Sequence, residues 1–283
     1  MYHSSETIVP AHKQISIDDR TAGRELLRKT DCLQLSRDEQ TERQSGVLLS
    51  EHQMDIYINE RLTMKLVCIP EHLPELVMGR LLTEGMIRTA DDVKAIHICE
   101  HGTRAAVSLN DTLPKNNTSD DFVELTPTSC TSNHVLNDDF RTCKTLSPVT
   151  PATWKASWIF SLADRFAKGM PLHKETWCTH SCFLAMEDQL LFQCEDIGRH
   201  NALDKAIGYA LLHGINLTRC IVYSSGRIPT DMAEKAIRAG ISILSSKASP
   251  TQEAVELAGR YHLTLVCNAR RDSMRVYAGE SPV

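Results

Sequence analysis

From Ser181 to Gly279 the chain alternates short apolar runs with amphipathic stretches. That alternation limits the possible folds more than any other feature of the sequence. The runs "SCFLAM", "QLLFQC", "RCIVYSS", "ISILSSK", "LTLVCNA" and "SMRVYAG" read as strands. Residues 201–213, "PTDMAEKAIRAG" and "SPTQEAVELAGRY" read as helices between them. Asn201 is the expected N-cap of the first helix. Ser249 followed by Pro250 is the expected start of the last. Strands alternating with helices imply an α/β domain of stacked layers with much parallel pairing. In such sheets ligands sit beyond the C-terminal strand ends, near the helix N-termini.

The first half is patterned differently. Met54, Ile56 and Ile58 alternate with Asp55, Tyr57 and Asn59, and "LTMKLVCI" follows a short turn, which predicts a β-hairpin. "PEHLPELVMGRLLTEGMI" predicts a helix ending near Gly85, and "DVKAIHICE" and "AAVSL" predict two more strands. "TWKASWIFSLADRFAKG" predicts a helix stopped by Gly169. The expected organisation is a variable, partly disordered lead-in over 1–45 and a smaller α+β domain over 46–126. A mobile loop over 127–153 and an α/β domain over 154–283 follow.

Composition narrows the function class. Thirty-one Lys and Arg against 36 Asp and Glu give a net charge of -5, which argues against general nucleic-acid binding. No apolar run approaches a membrane span, and "MYHSSETIVPAHKQ" lacks the apolar segment of an export signal. A cytoplasmic, non-membrane location with reduced thiols is the expectation for the ten cysteines. No Cys-x-x-Cys pair occurs, so no structural zinc site is expected.

Three strand-to-helix corners concentrate polar groups. The first, "CEDIGRHNALDK", holds Arg199, His200 and Asn201, with Asp204 and Lys205 just beyond. The second, "SSGRIPTD", offers Ser224, Ser225, Gly226 and Arg227, with Asp231 following. The third, "SSKASPT", carries Lys247, Ser249 and Thr251. Free N–H groups at such corners suit anions. Two readings stay open. The corners feed one ligand groove, or they are capped turns, the first held by an Asp196–Arg199 pair and by Asp204 hydrogen bonds. His180 and His200 read as buried, hydrogen-bonded histidines rather than metal ligands. Lys205 and Lys247 read as surface or phosphate-steering charges.

The stretch "EDIGRHNALDKAIGYAL" resembles the signature of the FdhD/NarQ family of formate dehydrogenase accessory sulfurtransferases. "YINERLTMKLVCIPEHLPELVMGRLLTEGMI" is similar to that family's N-terminal region, and "SSGRIPTDMAEKAIRAGISILSSKASPTQEAVELAGRYHLTLV" to its C-terminal region. The likeness runs from about residue 46 to 279. It implies a C-terminal three-layer, cytidine deaminase-like domain behind the smaller α+β domain. It also implies sulfur transfer, in which a cysteine desulfurase loads a cysteine with persulfide sulfur. That sulfur then goes to the bis-molybdopterin guanine dinucleotide molybdenum cofactor, destined for formate dehydrogenase. A homodimer is implied as well.

Carried over by position, the sulfur-bearing residue is Cys130 in "PTSCTSNH", and Asn133 stands where the family has its second cysteine. One thiolate suffices to accept and pass on sulfane sulfur. His134 could lower the thiol pKa, and Cys143 could act as a second thiol. The cofactor-contacting segment carries over as Asn268, Ala269, Arg270, Arg271, Asp272 and Ser273. With it come His180, the Arg199–Asn201 corner and the Ser225–Arg227 corner. "TWCTHS" puts Trp177 and Cys178 where the family has two glycines, which predicts a narrower pocket. A zinc deaminase is not expected despite the fold likeness. His180 is followed two residues on by Cys182, not Glu, and no Pro-Cys-x-x-Cys follows.

Overall fold

The computed structural model describes residues 15–21, 25–110, 134–135 and 145–283. Among the described residues, eight strands and an α-helix make up the first half, starting with β1 (Ser16–Asp19), β2 (Leu27–Leu35) and β3 (Thr41–Leu49). They continue with β4 (His52–Ile58), β5 (Arg61–Cys68), α1 (Leu73–Thr83), β6 (Val93–Ile98), β7 (Arg104–Leu109) and β8 (His134–Val135). The expected hairpin is β4–β5. Asn59 (φ 46°) and Glu60 (φ 70°) turn it, because two left-handed residues match the twist of paired strands. Met54, Ile56 and Ile58 are fully buried, as their alternation requires. The sheet runs in the order β1-β6-β7-β4-β5-β8.

The lead-in differs from expectation. Ser16–Asp19 pairs in parallel with β6, and β2 and β3 form a separate two-stranded ribbon. The expected boundary at residue 45 therefore falls inside β3. The ribbon escaped the sequence reading because most of its residues are exposed, so no buried face imposes a period-two pattern.

The second half comprises α2 (Ala156–Ala167), α3 (Pro171–Thr176), β9 (His180–Met186), β10 (Gln189–Asp196) and α4 (Arg199–Leu212). Then come β11 (Cys220–Ser224), α5 (Thr230–Arg238), β12 (Ile243–Ser246), α6 (Gln252–Arg260), β13 (Thr264–Cys267) and β14 (Arg275–Ala278). Their sheet runs β10-β9-β11-β12-β13-β14, with β11, β12 and β13 parallel and the outer pairs antiparallel. Alternate side chains divide the sheet between two cores. Cys182, Leu184, Val222 and Leu244 join Ala202, Ala206 and Ala236 of the helices on one face. Phe183, Tyr223, Ile243 and Val266 join Ile159 and Leu162 of α2 on the other. Helices thus cover both faces, and the molecule is mixed α/β.

Two helix starts differ from the sequence reading. The N-cap of α4 is Gly198, not Asn201, because β10 runs on to Asp196, whose carboxylate accepts the Gly198 N–H at 3.2 Å. The N-cap of α6 is Thr251, not Ser249, and its hydroxyl accepts the Ala254 N–H. Ser249 and Pro250 instead carry the chain alongside Ile228. Val149, inside the stretch expected to be a loop, is buried, and its N–H donates to Tyr261 O.

The halves meet where α1 crosses α4. A β-carbon on Gly79 would lie 1.8 Å from Asp204 O, and one on Gly208 would lie 1.8 Å from Glu75 O. Only glycine allows backbones so near. This close crossing buries ten of the fourteen residues of α4, including several polar ones.

Among the described residues no helix is long and apolar enough to cross a membrane.

Candidate functional site

The charged cluster at the start of α4 is internal. Lys205 is fully buried, contrary to the expectation of a surface charge, and its Nζ sits 2.7 Å from Asp196. Nζ also donates to the carbonyls of Ile69 and Glu195. Burial alone would lower the Lys205 pKa, but the Asp196 charge outweighs it and the ammonium is held above its ordinary value. Asp196 further accepts the Ile69 N–H and the Asn201 side-chain amide, which also donates to Val67 O. Asp204 is buried with no exposure and meets Lys235 at 2.9 Å, Arg80 at 3.4 Å and the Thr83 hydroxyl at 2.8 Å. Arg80 also pairs with Glu84 at 2.9 Å. The α1–α4–α5 junction is therefore a balanced set of buried charges. The expected Asp204 bonds exist, but they join the two halves of the molecule.

His200 lies behind the same corner. Its Nε2 is 2.8 Å from Asp231, while Nδ1 is buried with no hydrogen-bond partner among the described residues. Burial holds its pKa below the ordinary histidine value, against the pull of Asp231. A β-carbon on Gly226 would lie 2.8 Å from the Arg199 Cβ, so that glycine makes room for the stem of Arg199. His200 and Asn201 are thus fixed in internal bonds, and Gly226 is covered by a side chain of the first corner.

The open site lies on the other face of the sheet, between α2, α3 and the ends of β9, β11 and β13. A groove of about 1690 Å³ is lined there by His180, Ser225, Ala269, Arg270, Arg271 and Asp272, among others. These six are sequence-predicted residues, drawn together from three separate segments. Ser225 Oγ accepts the Ser181 N–H and lies 3.0 Å from His180 Nδ1, which fixes that ring at the groove wall. Burial and the Arg199 charge hold the His180 pKa below the ordinary histidine value, which disfavours the charged ring. Tyr223 supports the floor by donating to Ala269 O at 2.7 Å. Arg271 pairs with Asp164 of α2 at 2.9 Å. Asn268 is turned aside in a left-handed conformation (φ 51°), bonded to Ser249 and Tyr277. Ser273 O accepts the Arg270 N–H and closes the turn, and Arg227 is exposed outside the lining.

The sequence reading missed α3 and the basic side chains beside it, Lys168 and Lys174. Pro171 in "GMPLHKET" was the available signal, since proline suits the first turn of a helix. Glu195 at the end of β10 anchors that helix. Its carboxylate accepts the N–H groups of Leu172 and His173 and the Thr179 hydroxyl. Cys178 is exposed on the groove lip. Buried thiols are poor sulfur carriers by contrast, since burial pushes Cys194 and Cys267 up to about 12. Cys130, Asn133 and Cys143 lie outside the described residues, and His134 is described only as part of β8. Among the described residues no group of three or more His, Cys, Asp or Glu side chains could hold a metal.

Comparison with known proteins gives a consistent picture. The model of the FdhD/NarQ family matches residues 49–283. The sulfur carrier protein FdhD of Bacillus subtilis (strain 168) is 31% identical over 233 residues, covering 81% of this chain and 87% of the relative. The protein of the same name from Halalkalibacterium halodurans is 31% identical over 262 residues, covering 90% and 93%. That from Geobacillus kaustophilus is 34% identical over 238 residues, covering 82% and 88%. A crystal structure described as a formate dehydrogenase accessory protein from Desulfotalea psychrophila superposes with a TM-score of 0.73 at 26% identity. The match covers 91% of this chain and 99% of that one.

Proposed function

The chain belongs to the FdhD/NarQ family, and from that premise we propose that it is a sulfur carrier acting in formate dehydrogenase maturation. Cys130 accepts sulfur from a cysteine desulfurase. Its thiolate attacks the outer sulfur of the donor persulfide, the donor S–S bond breaks, and the donor cysteine leaves as a thiolate. Cys130 then bears the persulfide. The cargo acceptor is the bis-molybdopterin guanine dinucleotide molybdenum cofactor, held in the groove of the C-terminal half. Delivery reduces the sulfane sulfur to sulfide and draws two electrons from a thiol reductant.

The groove is the observation that carries this reading. Its volume of about 1690 Å³ exceeds the roughly 300–1,000 Å³ of pockets for ordinary small ligands, as a large dinucleotide cargo requires. Lys168, Lys174, Lys247 and Arg270 line it, and among the described residues none of the four is in an ion pair. Such free cations suit phosphate groups. His180, fixed by Ser225 and with its charged form disfavoured by burial, supplies a hydrogen-bonding group. The three-layer arrangement also suits the deaminase-like architecture that the family likeness implies.

The test is to load the protein with a cysteine desulfurase and sulfur-labelled cysteine, then map the peptides. Label on the Cys130 peptide, absent from Cys130→Ser, is the expected result. Label confined to other peptides overturns the carrier role. A second reading is favoured by Asn133, which stands where the family has its second cysteine. In it the protein holds the cofactor or a guanine nucleotide without moving sulfur. Unlabelled protein that still binds GDP would establish that reading instead.

A further inference from the structure

Trp177 is 80% exposed, the most solvent-exposed large apolar side chain among the described residues. Its backbone is also left-handed (φ 55°), a conformation that bulky residues avoid. Two unfavourable features coincide at one position, and that position is the lip of the groove. The residue is nevertheless firmly placed. Its N–H donates to His173 O at 2.9 Å, and its indole lies 5.5 Å from the His173 ring. His173 is anchored in turn by Glu195 of β10. A large aromatic surface is thus presented to solvent on a fixed support, within a wall that carries Lys168, Lys174, Lys247 and Arg270.

A flat ring beside several solvent-exposed cations matches one ligand class, a planar heteroaromatic ring bearing phosphates. We propose that Trp177 is the stacking platform for the purine of a nucleoside diphosphate moiety bound in the groove, with the neighbouring cations taking the phosphates. Base stacking on an aromatic side chain strengthens binding and tolerates different bases, because every base has a π-face. Preorganisation through α3 and Glu195 lowers the ordering cost on binding. Trp177 is then a specificity residue for the part of the cargo that carries the base. This inference rests on the reading of the groove as the cofactor site.

The experiment titrates the full chain with GDP and with inorganic pyrophosphate, by calorimetry and by intrinsic fluorescence. Wild type, Trp177→Ala and Trp177→Phe are compared. Trp154 is fully buried and Trp158 is half-buried, so the exposed indole should dominate any quenching by GDP. Trp177→Ala is expected to weaken GDP about tenfold or more. Pyrophosphate binding should be unchanged, and Trp177→Phe should retain most of the affinity while losing the quench. Equal GDP affinity in wild type and Trp177→Ala overturns the platform and leaves the groove reading standing. So does a parallel loss of GDP and pyrophosphate, which marks a structural role. Failure of wild type to bind GDP at all overturns the groove reading, and the platform with it.

Discussion

Two regions of this molecule are rich in charge, and they use it in opposite ways. At the α1–α4–α5 junction Arg80, Lys235, Asp204 and Glu84 are buried and balanced, two cations against two carboxylates. Beside them Lys205 meets Asp196 in a second neutral pair. In the groove Lys168, Lys174, Lys247 and Arg270 face solvent, with no carboxylate partner among the described residues. Burial decides the difference. A charge removed from water must be matched by an opposite charge and by hydrogen bonds, whereas a solvated cation can wait for a ligand. The junction therefore holds the two halves together, and the groove is left able to bind anions.

The comparison breaks most readily at Asp204. Asp204→Ala leaves buried Arg80 and Lys235 with Glu84 as their one remaining carboxylate among the described residues, and should destabilise the fold by about 3–5 kcal/mol. Urea unfolding measures it. A loss within about 1 kcal/mol, the range of surface pairs, would show that the junction is wetter than its geometry implies. The groove should respond in the opposite sense. Arg270→Ala combined with Lys247→Ala should weaken pyrophosphate by roughly tenfold while the melting temperature holds. Added salt should mimic that loss at the groove and leave the junction nearly untouched, since buried pairs are poorly screened. A fall in melting temperature in the double variant would assign these cations to folding.

The smallest effect sharpens the comparison through pH. His180 and His200 are held below the ordinary histidine pKa, mainly by burial. Below about pH 6.5 the unfolded chain gains protons that the folded rings resist. The unfolded state then binds more protons, so stability is fully present above that pH and declines as pH falls below it. Unfolding midpoints measured from pH 7.5 to 5.5 check this, and rising stability toward acid would contradict it.

The hairpin and helix of the first half and the strand–helix alternation of the second were legible because each buried face repeats with its own period. Met54, Ile56 and Ile58 show this on a strand, as Ile159, Leu162 and Ala163 do on a helix. The β2–β3 ribbon was not legible, since exposed strands carry no such imprint. Of the candidate site, the "NARRDS" segment and His180 were found from sequence and do line one groove, mostly through Arg270, Arg271 and Asp272. Helix α3 was missed because a short helix leaves too few residues for a period to appear.

The sequence by itself determined the order of the periodic strands and helices, and the family signature, because those properties are written in local spacing. Only the tertiary structure decided that Asp204 and Lys205 are internal while Trp177 and Arg270 are open. Lysine, arginine and aspartate occur in both places, so residue type alone does not separate them. Whether a side chain binds a ligand or a neighbouring helix depends on what packs over it, and here the Gly79–Gly208 crossing covers one cluster and leaves the other uncovered.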